Sequence, residues 1–268
     1  MQKIVFIGAG SMAEALMGGW INKGCVDAQQ IYVSNRSDRA RLQYLRNEYG
    51  VQILEQYAQI QDADCIILAM KPKDVCTAMD TIAPYIGEQT AVLSVLAGIP
   101  IKTIEQGLSP RPIARVMPNT SATIGMSASG IAFNDLVSDQ LKEAFIQMLA
   151  TIGLVVEVDE DKLHAVTALS GSGPAYIYYL IEAFEKVGTE IGLPKEVVRQ
   201  LMVQTLAGSA SMLQAVDEEP DELRRKVTSP GGTTEAGIRA LQEHHFTETI
   251  EACIKSAEQR SRELAKGV

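Results

Sequence analysis

Residues 3–7, Lys3-Ile4-Val5-Phe6-Ile7, run directly into Gly8-Ala9-Gly10-Ser11-Met12-Ala13, and no other stretch limits so tightly what this chain can fold into. A short β-branched apolar run that breaks off into glycine is a strand buried on both faces, as in a parallel sheet. The residues that follow, Glu14, Ala15, Leu16, Met17, Trp20 and Ile21, have helical spacing, and the helix stops near Gly24. Strand, glycine turn and helix in that order make GxGxxA a phosphate-binding turn for a dinucleotide. Gly8 permits the sharp bend, Gly10 lets a pyrophosphate approach the backbone, and Ala13 is small enough for helix and strand to pack closely.

The second strand, Gln30-Ile31-Tyr32-Val33, ends at Ser34-Asn35-Arg36-Ser37. A site built for NADH carries an acid here for the ribose 2′-hydroxyl, and residues 34–37 contain none. They offer hydroxyl and amide donors and a guanidinium, which suit a 2′-phosphate. NADPH is therefore the expected cofactor, with NADH the weaker alternative.

A second continuous apolar run, Cys65-Ile66-Ile67-Leu68, leads into Ala69-Met70-Lys71-Pro72. Further strands are predicted over 90–98 and 113–120, alternating with helices over 74–86 and 100–107, and this alternation predicts an open α/β sheet. Ligands bind such sheets at the carboxyl ends of the strands, so Lys71, Ala97 and the turn Met117-Pro118-Asn119-Thr120 are candidates for the nicotinamide end of the site. Residues 121–133 read as a strand pair, 138–152 as a helix and 154–158 as a short strand. The acidic Asp159-Glu160-Asp161 marks a break in composition, and from Lys162 onward the strand pattern disappears. The predicted organisation is an α/β domain over residues 1–161 and an all-α domain over 162–268.

In the helical part, the small residues from Ser170 to Ala175, with Pro174, predict a kink or a break between helices. Later helices are expected over 194–216, over 220–226, and as one element from Thr234 to the C-terminus. Their apolar faces, with Leu201, Met202, Leu206, Met212 and Leu213, exceed what this half can enclose by itself, and subunit association through them is expected. His164 and the pair His244-His245 lack ligand-like companions and read as ordinary polar positions.

A formal charge of −9 excludes sequence-independent nucleic-acid binding, which needs a basic face. Cys25, Cys65, Cys76 and Cys253 show neither CxxC nor Cys/His metal spacing, so no metal site is expected and the thiols read as reduced. The sequence shows no export signal and no uninterrupted apolar span, which gives the expectation of a cytoplasmic protein without membrane association.

Near the far end, Val227-Thr228-Ser229-Pro230-Gly231-Gly232-Thr233-Thr234-Glu235-Ala236-Gly237-Ile238 reads as a loop that opens a helix. Such a loop aims backbone N–H groups at one spot, where the helix N-terminus favours an anion. Residues 229–234 supply donors without a titrating side chain. That suits a carboxylate substrate whose acceptor carbon is already electrophilic, as in a protonated imine; a ketone calls for a placed proton donor.

GAGSMA at 8–13, LAMKP at 68–72, VMPNT at 116–120, LSGSGPAY at 169–176 and VTSPGGTTEAGI at 227–238 together resemble the pyrroline-5-carboxylate reductase family, in order and over nearly the whole chain. The resemblance implies a Rossmann-type N-terminal domain and interleaved C-terminal helices that form homodimers, stacked into decamers in some members. It implies hydride transfer from NADPH to the imine carbon of L-1-pyrroline-5-carboxylate, which becomes C5 of L-proline, with cofactor and substrate loop drawn from different subunits.

By the same resemblance Gly8, Ala9, Gly10, Ser11, Met12 and Ala13 hold the pyrophosphate, and Ser34, Asn35, Arg36 and Ser37 the adenosine phosphate. Ala69, Met70, Lys71 and Pro72 with Ala97 hold the rest of the cofactor. Ser229, Gly231, Gly232 and Thr233 take the substrate carboxylate, and Thr234 bonds the ring nitrogen as the catalytic residue. Gln56 and Asp217 depart from the Asn and Glu of many relatives, and Lys226 varies. Two other readings compete. A β-hydroxyacid dehydrogenase would need Lys186 as its catalytic lysine, without that class's glycine-rich context; a cofactor-sensing protein would bind NADPH without turnover.

Overall fold

A computed structural model describes residues 1–266. Two compact units divide the chain: residues 1–174 together with the tail from Ser256, and Ala175–Lys255.

The first unit is organised by strands that are apolar on both faces. β1 (Ile4–Ile7), β4 (Cys65–Leu68) and β5 (Ala91–Ser94) are buried along their whole length. Successive side chains point to opposite faces, so Ile4 and Phe6 join one apolar layer while Val5 and Ile7 join the other. The first layer carries α1 (Ser11–Asn22), α2 (Arg39–Tyr49) and α5 (Asp139–Ala150); the second carries α3 (Val75–Ile82) and α4 (Ile101–Leu108).

With β2 (Ile31–Ser34), β3 (Gln52–Ile53), β6 (Ile113–Met117), β7 (Ser127–Phe133) and β8 (Gly153–Glu157), the strands form one eight-stranded sheet in the order β3-β2-β1-β4-β5-β6-β7-β8. Every adjacent pair is parallel except β6 with β7. The chain leaves β1 towards β2 and β3, then returns on the other side at β4. That reversal beside β1 creates the crevice where open α/β sheets take ligands.

Residues 121–133 do not form the expected strand pair. A 3-10 turn, Thr120–Ile124, precedes the single strand β7. The Asn119 side chain accepts from the Ser121 amide (3.1 Å), and Asn119 N–H donates to the Ser127 hydroxyl (3.1 Å). These local bonds give a serine- and threonine-rich segment a tighter alternative to a sheet ladder.

After β8 every described element is helical. α6 (Leu163–Val166) runs through a π turn (Thr167–Gly171), closed by Ser172 N–H to Thr167 O (2.8 Å), into α7 (Gly173–Glu190). The irregularity falls where the small residues and Pro174 predict it. α8 (Lys195–Ala215) and α9 (Pro220–Lys226) match their expected ranges closely.

The last expected helix is two: α10 (Thr233–Glu243) and α11 (Phe246–Lys266). His245 adopts φ +54° between them, and histidine is one of the side chains that enter this region most readily. No glycine or proline announced this break. The end of α11 packs within the first unit, where Arg262 pairs with Asp161 (2.7 Å) and Ser261 bonds the buried His164 ring (2.9 Å). Burial and the neighbouring Arg115 and Arg262 cations hold the His164 imidazole below its ordinary range, so it stays neutral.

In the second unit, a Cβ on Gly188 would lie 2.6 Å from a Val198 methyl, so only glycine allows α7 and α8 to approach this closely. Glu185 takes both Arg199 and Lys195 across the same contact. Most of the unit's apolar residues stay exposed, among them Tyr179, Phe184, Ile191, Leu201, Met212 and Leu213. No described helix is long and apolar enough to cross a membrane.

Candidate active site

The carboxyl ends of β1, β2 and β4 are joined by backbone hydrogen bonds. Gly8 N–H donates to Ser34 O (3.1 Å), and Ala69 N–H donates to Ile7 O (2.9 Å). Gly8 sits at φ +111°, and a Cβ there would lie 2.5 Å from the Ala69 carbonyl carbon and oxygen and 2.6 Å from Met70 N. No side chain fits at this position, which explains the first glycine of the motif in steric terms. Gly10 caps α1, and a Cβ on it would meet nothing closer than Ala69 O at 4.0 Å, so its front is open to an approaching group.

These strand ends surround a cavity of about 680 Å³. Residues 8–12, 34–37 and 69–71 of the predicted set line it; Ala13, Pro72 and Ala97 do not. Ala13 is buried beneath the turn, as a packing role requires. Pro72 opens the 3-10 turn Pro72–Asp74, and Ala97 is an exposed residue in the turn after β5.

The loop after β2 is fixed from within. Asn35 Oδ1 accepts from the amides of Ser37 (3.1 Å) and Asp38 (3.2 Å), and Asp38 caps α2 by accepting from Arg41 N–H (2.8 Å). Such a cap contributes about 1 kcal/mol. Arg41 then reaches back to the glycine turn: its Nε donates to Ala9 O (2.9 Å) and its guanidinium pairs with Glu14. Tyr49 also donates to Glu14 (3.1 Å).

Partial burial opposes ionisation of Glu14, but Arg41 and Tyr49 outweigh it and hold the carboxyl below its ordinary range. Burial and the same carboxylate push the Tyr49 hydroxyl up to about 12. The turn is thereby braced by a charged partner from the next helix.

The cavity also takes in residues that carry no motif: Tyr57, Thr77, Ala78 and Thr81, the cation Lys73, and Asp74. Asp74 Oδ1 lies 3.0 Å from Arg36 Nη1. Arg41 and Asp74 each act across a gap of some tens of residues, and short-range spacing gives no sign of either.

The loop of residues 227–234 lies in the second unit. Ser229 O accepts from Gly232 N–H (3.0 Å), Gly231 takes φ +70°, and Gly232 caps α10. Residues 229, 231, 233 and 234 are exposed. The Gly231 N–H donates to a carboxylate oxygen of Glu235 (2.8 Å), a local bond that ties the bend to the first turn of α10. Lys226 pairs with Glu218, and Lys186 is exposed on α7. Among the described residues, no three His, Cys, Asp or Glu side chains are grouped to hold a metal ion.

A glycine turn at the reversal point of a mostly parallel sheet, with Arg36, Lys71 and Lys73 on the cavity wall, defines a Rossmann-type dinucleotide-binding oxidoreductase. Residues 3–98 match the family model described as NADP oxidoreductase coenzyme F420-dependent, and residues 160–264 match that described as pyrroline-5-carboxylate reductase dimerisation. Pyrroline-5-carboxylate reductase 2 of Bacillus subtilis is 46% identical over 98% of this chain and 95% of its own. The Staphylococcus haemolyticus reductase is 40% identical over 98% of both. Among solved structures, a pyrroline-5-carboxylate reductase of Coxiella burnetii superposes with a TM-score of 0.91 at 34% identity, covering 98% of each chain. The Plasmodium falciparum pyrroline carboxylate reductase with NADP bound gives 0.87 at 26% identity, again over 98% of each. The chain belongs to the pyrroline-5-carboxylate reductase family.

Proposed function

We propose that this chain reduces the C=N bond of L-1-pyrroline-5-carboxylate to L-proline, the last step of proline synthesis, and that it favours NADPH over NADH. The observation that supports the substrate reading is the exposed bend of residues 229–234 at the start of α10, whose hydroxyl and amide donors carry no titrating side chain. The cofactor reading rests on Gly8, on the cavity it borders, and on Arg36 in a loop without an acid of its own at residues 34–37.

A bound reduced nicotinamide supplies one hydride, and the residues of the chain position both reactants. Residues 8–12 hold the pyrophosphate with Ala13 packed beneath them, residues 34–37 the 2′-phosphate, and residues 69–71 the nicotinamide half. Ser229, Gly231, Gly232 and Thr233 fix the substrate carboxylate by neutral donors, and Thr234 bonds the ring nitrogen. The imine arrives protonated. Hydride addition at the imine carbon, which becomes C5 of proline, therefore sends the C=N electron pair to nitrogen and yields the amine with no further proton needed from the protein.

In functional terms the division falls at 161/162, with cofactor binding before it and substrate binding and dimerisation after it. The exposed apolar side chains of α7 and α8 support a homodimer through the C-terminal helices, and dimers of this kind can stack further into a decamer. Light scattering at assay concentration should give a dimer or a multiple of it, and a monomer at full activity would contradict this assembly. The expected location is the cytoplasm.

Purified chain mixed with NADPH should lose the reduced-nicotinamide absorbance only when pyrroline-5-carboxylate is added, with proline formed in equal amount. NADPH binding without oxidation would instead favour a sensing role.

A further inference from the structure

We propose that Asp74 supplies the acid missing from residues 34–37 and that, together with Arg36, it sets how far this chain separates NADPH from NADH. This rests on the reading of Arg36 as the 2′-phosphate residue. Asp74 ends the turn after β4, far along the chain from the loop after β2, yet its Oδ1 lies 3.0 Å from Arg36 Nη1 and both residues line the same cavity. The side chain of Asp74 is 27% exposed and that of Arg36 is 74% exposed, so the carboxylate is the anchored member and the guanidinium reaches over to it.

Two other features single out Asp74. Asp38, the remaining acid on the cavity wall, has its Oδ1 committed to the Arg41 amide as the cap of α2. Lys71 and Lys73 also line the cavity, so Arg36 is not its sole cation.

The chemistry is opposite for the two cofactors. An unphosphorylated ribose offers a 2′-hydroxyl that a carboxylate accepts, and the Arg36–Asp74 pair can stay closed around it. A 2′-phosphate is repelled by that carboxylate and must draw Arg36 away from it. Asp74 thus supports NADH and holds back NADPH, which leaves the chain able to use both.

The test measures kcat/KM for NADPH and for NADH, at saturating pyrroline-5-carboxylate, in the wild-type chain, Asp74→Asn, Arg36→Ala and the double variant, with Asp74→Ser as a second replacement. Removing the carboxylate should raise the NADPH/NADH ratio about tenfold, the effect of one charge-assisted hydrogen bond lost to NADH and one repulsion lifted from NADPH, with the change carried by the cofactor KM values. Arg36→Ala should lower the ratio, and Asp74→Asn should change it less in that background.

An unchanged ratio in both Asp74 variants, with Arg36→Ala still effective, overturns the role of Asp74 alone. An unchanged ratio in Arg36→Ala overturns the assignment of Arg36 and this proposal with it. Equal losses for both cofactors together with a lower melting temperature would mark Asp74 as structural and also overturn it.

Discussion

Gly8→Ala should abolish measurable NADPH binding while leaving most of the chain folded at room temperature. The new Cβ would lie 2.5 Å from the Ala69 backbone and would have to adopt φ +111°. The backbone cannot relax away, because Gly8 N–H is bonded to Ser34 O and Ala69 N–H to Ile7 O on either side of the contact. Strain of this kind costs roughly 1–3 kcal/mol and forced overpacking about as much again. A domain with about 5–15 kcal/mol in hand survives that with a lower melting temperature. The dinucleotide turn, which must keep its shape to within a fraction of an ångström, does not.

Gly10→Ala provides the contrast, since its Cβ meets nothing in the protein closer than Ala69 O at 4.0 Å. It should weaken NADPH binding with almost no change in melting temperature. Calorimetric titration and thermal unfolding of both variants check the pair, and wild-type NADPH affinity in Gly8→Ala would contradict the reading of the turn.

Thr234→Ala should reduce turnover by about a hundredfold, the typical effect of removing one donor or acceptor placed for the reacting group. Its NADPH affinity should change far less. Thr234 is the second residue of α10 and is exposed, so the replacement leaves no buried cavity and no lost cap. A stability effect would not account for the loss. Single-turnover rates at saturating substrate separate the chemical step from binding, and an unaltered rate would remove Thr234 from the reaction.

Much of this was legible in the sequence because the informative residues are adjacent. Ile4 to Ile7 had to be a buried strand, and the glycines after it had to turn, so an interior strand of the sheet and its phosphate turn could be read from ten consecutive positions. The loop before α10 was legible for the same reason. The 3-10 turn at Thr120–Ile124 was missed because Asn119 and Ser127 bond locally in a stretch whose composition also suits strands.

The break at His245 was missed because nothing but its own φ angle records it. Arg41 and Asp74 were missed for a third reason. Arg41 braces the turn at Ala9 and Asp74 meets Arg36 only after the strand order β2-β1-β4 has folded those ends together. Motifs record what neighbours in the chain do, whereas these contacts are products of topology.

In the proposed reaction a hydride passes from the nicotinamide held at the Gly8 turn to the imine carbon of a substrate held by its carboxylate. Turnover of pyrroline-5-carboxylate with NADPH deuterated at the transferable position of the nicotinamide, followed by mass and NMR analysis of the proline, tests it most directly. A single deuterium at C5 of L-proline is the predicted result. Proline without the label, or label found at another carbon, would rule out this transfer.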